Sequence, residues 1–327
     1  MGSGLHGENG LDPATAISIL RTYVIPIMLY GLETLLPAGR PFDLLERQYK
    51  KMIKQILSLP INTADPAIYI LSGLMPVEAE IHKRAINLFG IICRSGNEST
   101  EWQIAERQLS IKNRKNNSWF IEIRKLFIQY RIDDLYSYLS SSLPKTEWKT
   151  LIKIKINSYW TSQITEKSTL YRSLKFLNGK FQFGRCHPLA TTITANIQDI
   201  VRLSTCLKMA TGTYILQQNR AAYKNSNLVA TCLLCGRSEE TLEHFLLVCT
   251  QLEHLRSTLL LNLIKECSML LVKYRHSSDF NLLQLIVNPY YYATNSDMST
   301  DISNCLEPLC RNLCYQLHTK RYQLLGI

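Results

Sequence analysis

Three cysteines and a histidine stand together in the stretch TCLLCGRSEETLEHFLLVC, residues 231–249. Cys232, Cys235, His244 and Cys249 follow the spacing C-x2-C-x8-H-x4-C. Thiolate sulfur and imidazole nitrogen are the ligands Zn2+ favours, and two thiolates separated by two residues can reach one ion from a tight turn. Gly236 suits that turn. Ser238 is placed to cap a short helix starting at Glu239, and that helix would present His244. Residues five apart on an ideal helix lie about 140° out of line, so this helix must end or tighten before Cys249. Three sulfurs and one nitrogen fill a tetrahedral shell and leave no place for water. The spacing therefore predicts a structural Zn2+ without Lewis-acid chemistry. Its binding, of the order of 10 kcal/mol, would fold a segment too short to fold alone. His254 is a possible substitute ligand. Cys310, Cys314 and His318 could line one helical face, but Leu306, Leu309, Leu313 and Leu317 beside them read as a packing stripe.

Other chemistry finds no support in the residues. Asp133-Asp134 is the one adjacent aspartate pair, and paired aspartates hold two metal ions in polymerases. Polymerase palms carry Phe/Tyr-x-Asp-Asp on a hairpin. Here the tyrosine, Tyr130, is one residue too far away and the surroundings read as helix, so the pair reads as a solvated helix end. There is no phosphate-binding glycine loop, no H-E-x-x-H, no deaminase signature and no recognisable nucleophile setting. No catalytic residue is assigned.

The elements that must position the metal ligands are helical almost throughout. Asp12-Pro13 opens a first helix that Pro26 should kink or end early. A second begins near Pro41, with Leu45, Tyr49, Met52, Ile53 and Ile56 inward and Arg47, Lys50, Lys51 and Lys54 as a basic ridge on its other face. Asp65-Pro66 opens a third helix and Pro76 a fourth. Ser118 can cap a helix carrying Phe120, Ile123 and Phe127. Between Glu147 and Ile164, Ile152, Ile154 and Ile156 alternate as a strand would. Trp148, Ile152, Ile156, Trp160 and Ile164 repeat every four residues, and this longer pattern predicts helix. Gly179, Gly184 and Pro188 mark a loop that could divide two domains, and Leu252–Leu271 and Leu306–Leu325 look like further helices.

The chain of 327 residues carries a net charge of +11, with 46% hydrophobic residues. The charge is uneven: residues 101–200 hold 16 basic against 8 acidic side chains. A segment this basic points to a polyanionic partner, nucleic acid first, with a solvated basic face as the bland alternative. Lys112, Arg114 and Lys115, and Lys149, Lys153 and Lys155, join the ridge as candidate phosphate contacts. All four tryptophans fall in this segment, as core residues or as stacking platforms for bases. No run approaches the roughly 18 apolar residues of a membrane span, and the first residues lack a secretory pattern. An intracellular place with reduced cysteines is expected.

Residues 200–256, with "TGTY", "NR", C-x-x-C-G, the Glu-Thr-x-x-His helix, Cys249 and Arg256, resemble the zinc-binding domain that follows the reverse transcriptase in LINE-type (non-LTR) retrotransposon polyproteins. "GLDPATAISILRTYVIPIMLYGLETL" and "LSGLMPVEAEIHKRAINLF" look like the helical thumb of the same polyproteins, and the similarity extends over nearly the whole chain. The resemblance implies a mainly α-helical architecture: a thumb-like region over 1–100, a basic helical connector over 101–190, a CCHC zinc-binding domain over 191–270 and a C-terminal helical segment over 271–327. It also implies a non-catalytic C-terminal portion whose polymerase domains would lie upstream of Met1. That portion would bind element RNA and target DNA, without a membrane, in the nucleus or a cytoplasmic ribonucleoprotein. The alternative is a domesticated, zinc-stabilised protein–protein interaction module.

Overall fold

The computed structural model describes residues 11–113, 115–177, 182–191, 197–222, 228–275 and 280–326. Among them the architecture is mainly α. No strand forms, and β pairing is confined to an isolated antiparallel bridge between Thr231 and Glu239. No helix of the described residues is long and apolar enough to cross a membrane.

Helix starts follow local chemistry. Asp12 Oδ1 accepts the Thr15 amide at 3.1 Å, and Pro13 takes the first position of the Pro13–Ile19 helix, where a missing N–H costs nothing. Pro41 and Pro66 occupy the first turns of Arg40–Ile56 and Asp65–Ser72, and Pro76 directly precedes Val77–Arg94. Pro26 lies within the short Ile25–Met28 helix, so the helical run stops two residues after it. A π turn over Leu20–Val24, in which the Ile25 N–H donates to the Leu20 carbonyl, shifts the hydrogen-bond register ahead of the proline. The chain then stays helical over Ile25–Met28.

The buried side chains form two clusters. One is drawn from a single stretch, Met75 to Trp160, within which Val77 and Ile81 face the other cluster. The Val77–Arg94, Thr100–Ile111, Trp119–Gln129 and Leu135–Ser140 helices and the Lys145–Thr169 helix as far as Trp160 close around it. Trp148, Ile152, Ile156 and Trp160 face inward while Ile154 is exposed, as the four-residue repeat requires. Aromatic rings meet edge to face, Phe89 on Phe127 at 5.6 Å and Tyr138 on Trp148 at 5.1 Å between centroids. The tryptophans turn their N–H groups inward too: Trp102 donates to the Leu139 carbonyl, Trp119 to that of Glu33 and Trp160 to the Tyr130 hydroxyl. Gly90 makes room for Trp148, since a Cβ there would fall 2.3 Å from the indole.

The other cluster is stitched from distant segments, residues 16–81 with 164–317. The Lys145–Thr169 helix runs from one cluster into the other, placing Trp160 in the first and Ile164 in the second. The segment 182–191 joins its surroundings closely. Gly184 N–H donates to the Gly73 carbonyl at 2.8 Å, and His187 N–H to that of Leu71 at 2.9 Å. Gly179 lies outside the described residues. The Ile197–Ala210, Glu253–Tyr274 and Glu307–Leu325 helices complete this cluster and flank the cysteine segment.

Candidate metal centre

The ligand atoms of Cys232, Cys235, His244 and Cys249 all lie within 4.8 Å of one another. Cys232 Sγ is 3.9 Å from Cys249 Sγ, and Cys235 Sγ is 3.4 Å from His244 Nε2. Among the described residues no other group of three or more His, Cys, Asp or Glu side chains converges in this way. His254 is exposed and takes no part. Cys310 and Cys314 are buried in the second cluster, while His318 Nδ1 meets the Tyr214 hydroxyl at 2.9 Å.

The backbone builds this convergence from two turns. The Thr231–Glu239 bridge brings the ends of the first turn together, with Cys232 N–H donating to the Ser238 carbonyl at 2.8 Å. Within it Gly236 N–H donates to the Cys232 carbonyl at 2.9 Å, and Gly236 adopts φ +64°, a left-handed conformation that glycine enters without strain. The second turn follows one branch of the expectation, since the helix ends at Val248, ahead of Cys249. It does not tighten on the way; its last turn widens. His244–Val248 form a π turn, closed by Cys249 N–H to the His244 carbonyl at 2.7 Å. Closure over five residues removes most of the angular offset that an α-helix would impose on His244 and Cys249. Cys249 then leaves the helix in an extended conformation.

Ser238 has another task than the expected cap. Its Oγ lies 2.8 Å from His244 Nδ1, which orients the ring and turns Nε2 toward the thiols. The cap is Thr241, whose Oγ1 accepts the His244 amide at 3.0 Å. Burial pushes the Cys232 thiol up and takes that of Cys249 to about 12. At Cys235 burial acts in the same direction, but the backbone of Arg237 and Ser238 and the two neighbouring thiols outweigh it, and the net direction is down. Burial lowers His244 and so favours the neutral imidazole, the form that ligates. An arriving cation would displace thiol protons.

Residues beyond the four ligands anchor the centre; Tyr214, Glu240 and Arg256 stood in the motifs of the resemblance, but nothing in the sequence gave them a role. Glu240 is buried, and both its oxygens are engaged by Arg321 of the Glu307–Leu325 helix, at 2.8 and 3.0 Å. Glu240 Oε2 also accepts the Gln217 amide at 2.7 Å. Arg256, buried and paired with Glu253, donates to the Cys249 carbonyl at 3.0 Å. Tyr214 stacks on Phe245, the neighbour of His244, at 5.6 Å. The partner of Glu240, Arg321, lies far along the chain, where no local pattern could point to it.

The candidate phosphate contacts are placed unequally. Arg47 and Lys51 are exposed one turn apart, as are Lys149 and Lys153. Lys50 is half-buried between Glu46 at 2.7 Å and Asp65 at 2.9 Å. Lys54 does not belong to the solvated ridge: it is buried, its ammonium donating to the Ile61 carbonyl at 2.9 Å and to Asp65 at 3.1 Å. The 60–65 loop folds over it, which an amphipathic pattern alone does not reveal. Lys112 is half-buried and Lys115 exposed, while Arg114 lies outside the described residues. Lys155 is half-buried and donates to the Arg131 carbonyl at 2.8 Å. Asp133 and Asp134 are exposed just ahead of the Leu135–Ser140 helix.

Comparison of the chain with protein-family models, curated proteins and solved structures finds no match.

Proposed function

We propose that the four converging side chains hold a structural Zn2+ and that the chain is a non-catalytic, nucleic-acid-binding portion of a LINE-type reverse transcriptase polyprotein. The observation that carries the metal is the geometry of the donors. A tetrahedron with bonds of about 2.3 Å to sulfur and 2.0–2.1 Å to nitrogen has edges of roughly 3.8 Å between sulfurs and 3.6 Å from sulfur to nitrogen. The separations of 3.9 Å and 3.4 Å come close to both. All four positions are filled by protein, so the ion organises the fold and does not activate water. Elemental analysis of the purified chain is expected to give one zinc per chain.

Support for the nucleic-acid role comes from the exposed basic pairs Arg47/Lys51 and Lys149/Lys153, each carried on a helix whose opposite face is buried. Such surfaces grip phosphates with little sequence preference. Filter binding of RNA and DNA at several salt concentrations tests this. Affinity is expected to fall steeply with salt, and K149A/K153A to reduce the slope of the log–log plot by about 2. Weak binding that ignores salt would remove the reading. The alternative, a protein-interaction module, draws on the strongly exposed apolar side chains Tyr23, Ile27, Tyr30 and Leu35.

A further inference from the structure

A cavity of about 830 Å³ lies between the 60–65 loop, the 171–173 segment and the 211–222 segment. Gly212 sets two of its walls together. With φ +67°, it brings the chain so close to Ser173 that a Cβ would fall 2.7 Å from the Ser173 Cβ. The metal centre braces the same wall, since Tyr214 stacks on Phe245 and the Gln217 amide is held by Glu240.

The lining is chemically selective. Lys54, at the wall, is neutralised by Asp65, whereas Arg220 is exposed and forms no ion pair with any described residue. Ser173 and the Asn219 amide contribute polar groups; Asn219 Oδ1 already accepts the Leu216 amide, which leaves its NH2 group as the donor on offer. The exposed side chains of Tyr171, Ile61 and Ile215 add an aromatic ring and two apolar surfaces. One uncompensated cation, neutral donors and an aromatic platform match a phosphate, a sugar and a base. Volume falls within the range of small-molecule sites.

We propose that this cavity binds one unstacked nucleotide of a single-stranded nucleic acid, with the phosphate on Arg220 and the base against Tyr171. The proposal rests on the nucleic-acid reading above and deepens it. It predicts that the cavity distinguishes single strands from duplexes, while the exposed lysines grip both.

Fluorescence anisotropy with the full chain, carrying its metal, tests this using a short labelled oligouridylate, its deoxy counterpart and a blunt duplex. R220A and Y171A alter exposed side chains, so their melting curves should match the parent. Each is expected to weaken single-strand binding roughly tenfold and to leave duplex binding unchanged. K149A/K153A is expected to weaken both. A preference of the parent for the ribose strand that R220A and Y171A abolish would support recognition of the sugar as well. Unchanged oligouridylate affinity in R220A and Y171A, or equal losses on duplex, would overturn the cavity assignment and leave the general reading standing. Uridine monophosphate binding as tightly as the strand would overturn the assignment to a strand. A parent that binds no nucleic acid would remove the general reading itself.

Discussion

The Met75–Trp160 cluster and the metal centre hold themselves together by different means. The first closes within one stretch of chain through apolar and aromatic packing, with Phe127, Tyr138 and Trp148 in mutual contact and Phe89 on Phe127. The second is a short segment whose buried side chains, among them Phe245 and Leu246, pack into a cluster built from distant parts of the chain. It depends on four ligands within 4.8 Å, on a serine that aims the histidine, and on an ion pair from a helix far along the chain. Apolar packing tolerates loss of any single partner by degrees. A centre of thiols, an imidazole and a buried charge pair loses its organisation when one member is removed.

Removing the proposed ion should give the largest effect. Chelation, or C249S, withdraws binding energy of the order of 10 kcal/mol and should open residues 230–256 to protease. All four tryptophans lie between residues 102 and 160, so their emission should hold steady while the cysteine segment unravels. An emission shift at the same chelator concentration would erase the contrast between the two regions.

R321A comes next. It leaves the Glu240 carboxylate buried beside the metal centre without its cation, at a cost of about 3–5 kcal/mol, readable from denaturant titration. The double variant E240Q/R321M removes both charges and keeps an acceptor for the Gln217 amide, and should recover most of the loss. No recovery would mean that Arg321 acts through packing and not through charge.

G90A gives the smallest effect and the reverse pattern. The added methyl meets the Trp148 indole, and overpacking of this kind costs about 1–3 kcal/mol. Tryptophan emission should change while zinc content stays at the parent value. Loss of zinc in this variant would show that the two regions fold as one unit.

What the sequence made legible was local. Prolines at 13, 41, 66 and 76 sit at helix starts because their chemistry acts on neighbouring residues. The four-residue repeat of Trp148, Ile152, Ile156 and Trp160 identified a helix because periodicity is a property of one element. The ligands were legible for the same reason, all four falling within a short segment. The π turn at His244–Val248 was not, because it arises from the demand that His244 and Cys249 face one point. Nor was the burial of Lys54, which depends on the loop that closes over it, or the pairing of Glu240 with Arg321.

That pairing has a consequence for the order in which the molecule assembles. Chains emerge from the ribosome N-terminal end first. The Met75–Trp160 stretch contains every fully buried residue of its own cluster and can collapse as soon as it is clear of the exit tunnel. Glu240 must wait until another 81 residues have been made before its cation exists. During that interval the cysteine turn is already translated, with a carboxylate still in water. Ligation therefore becomes possible before the C-terminal helix arrives to lock it.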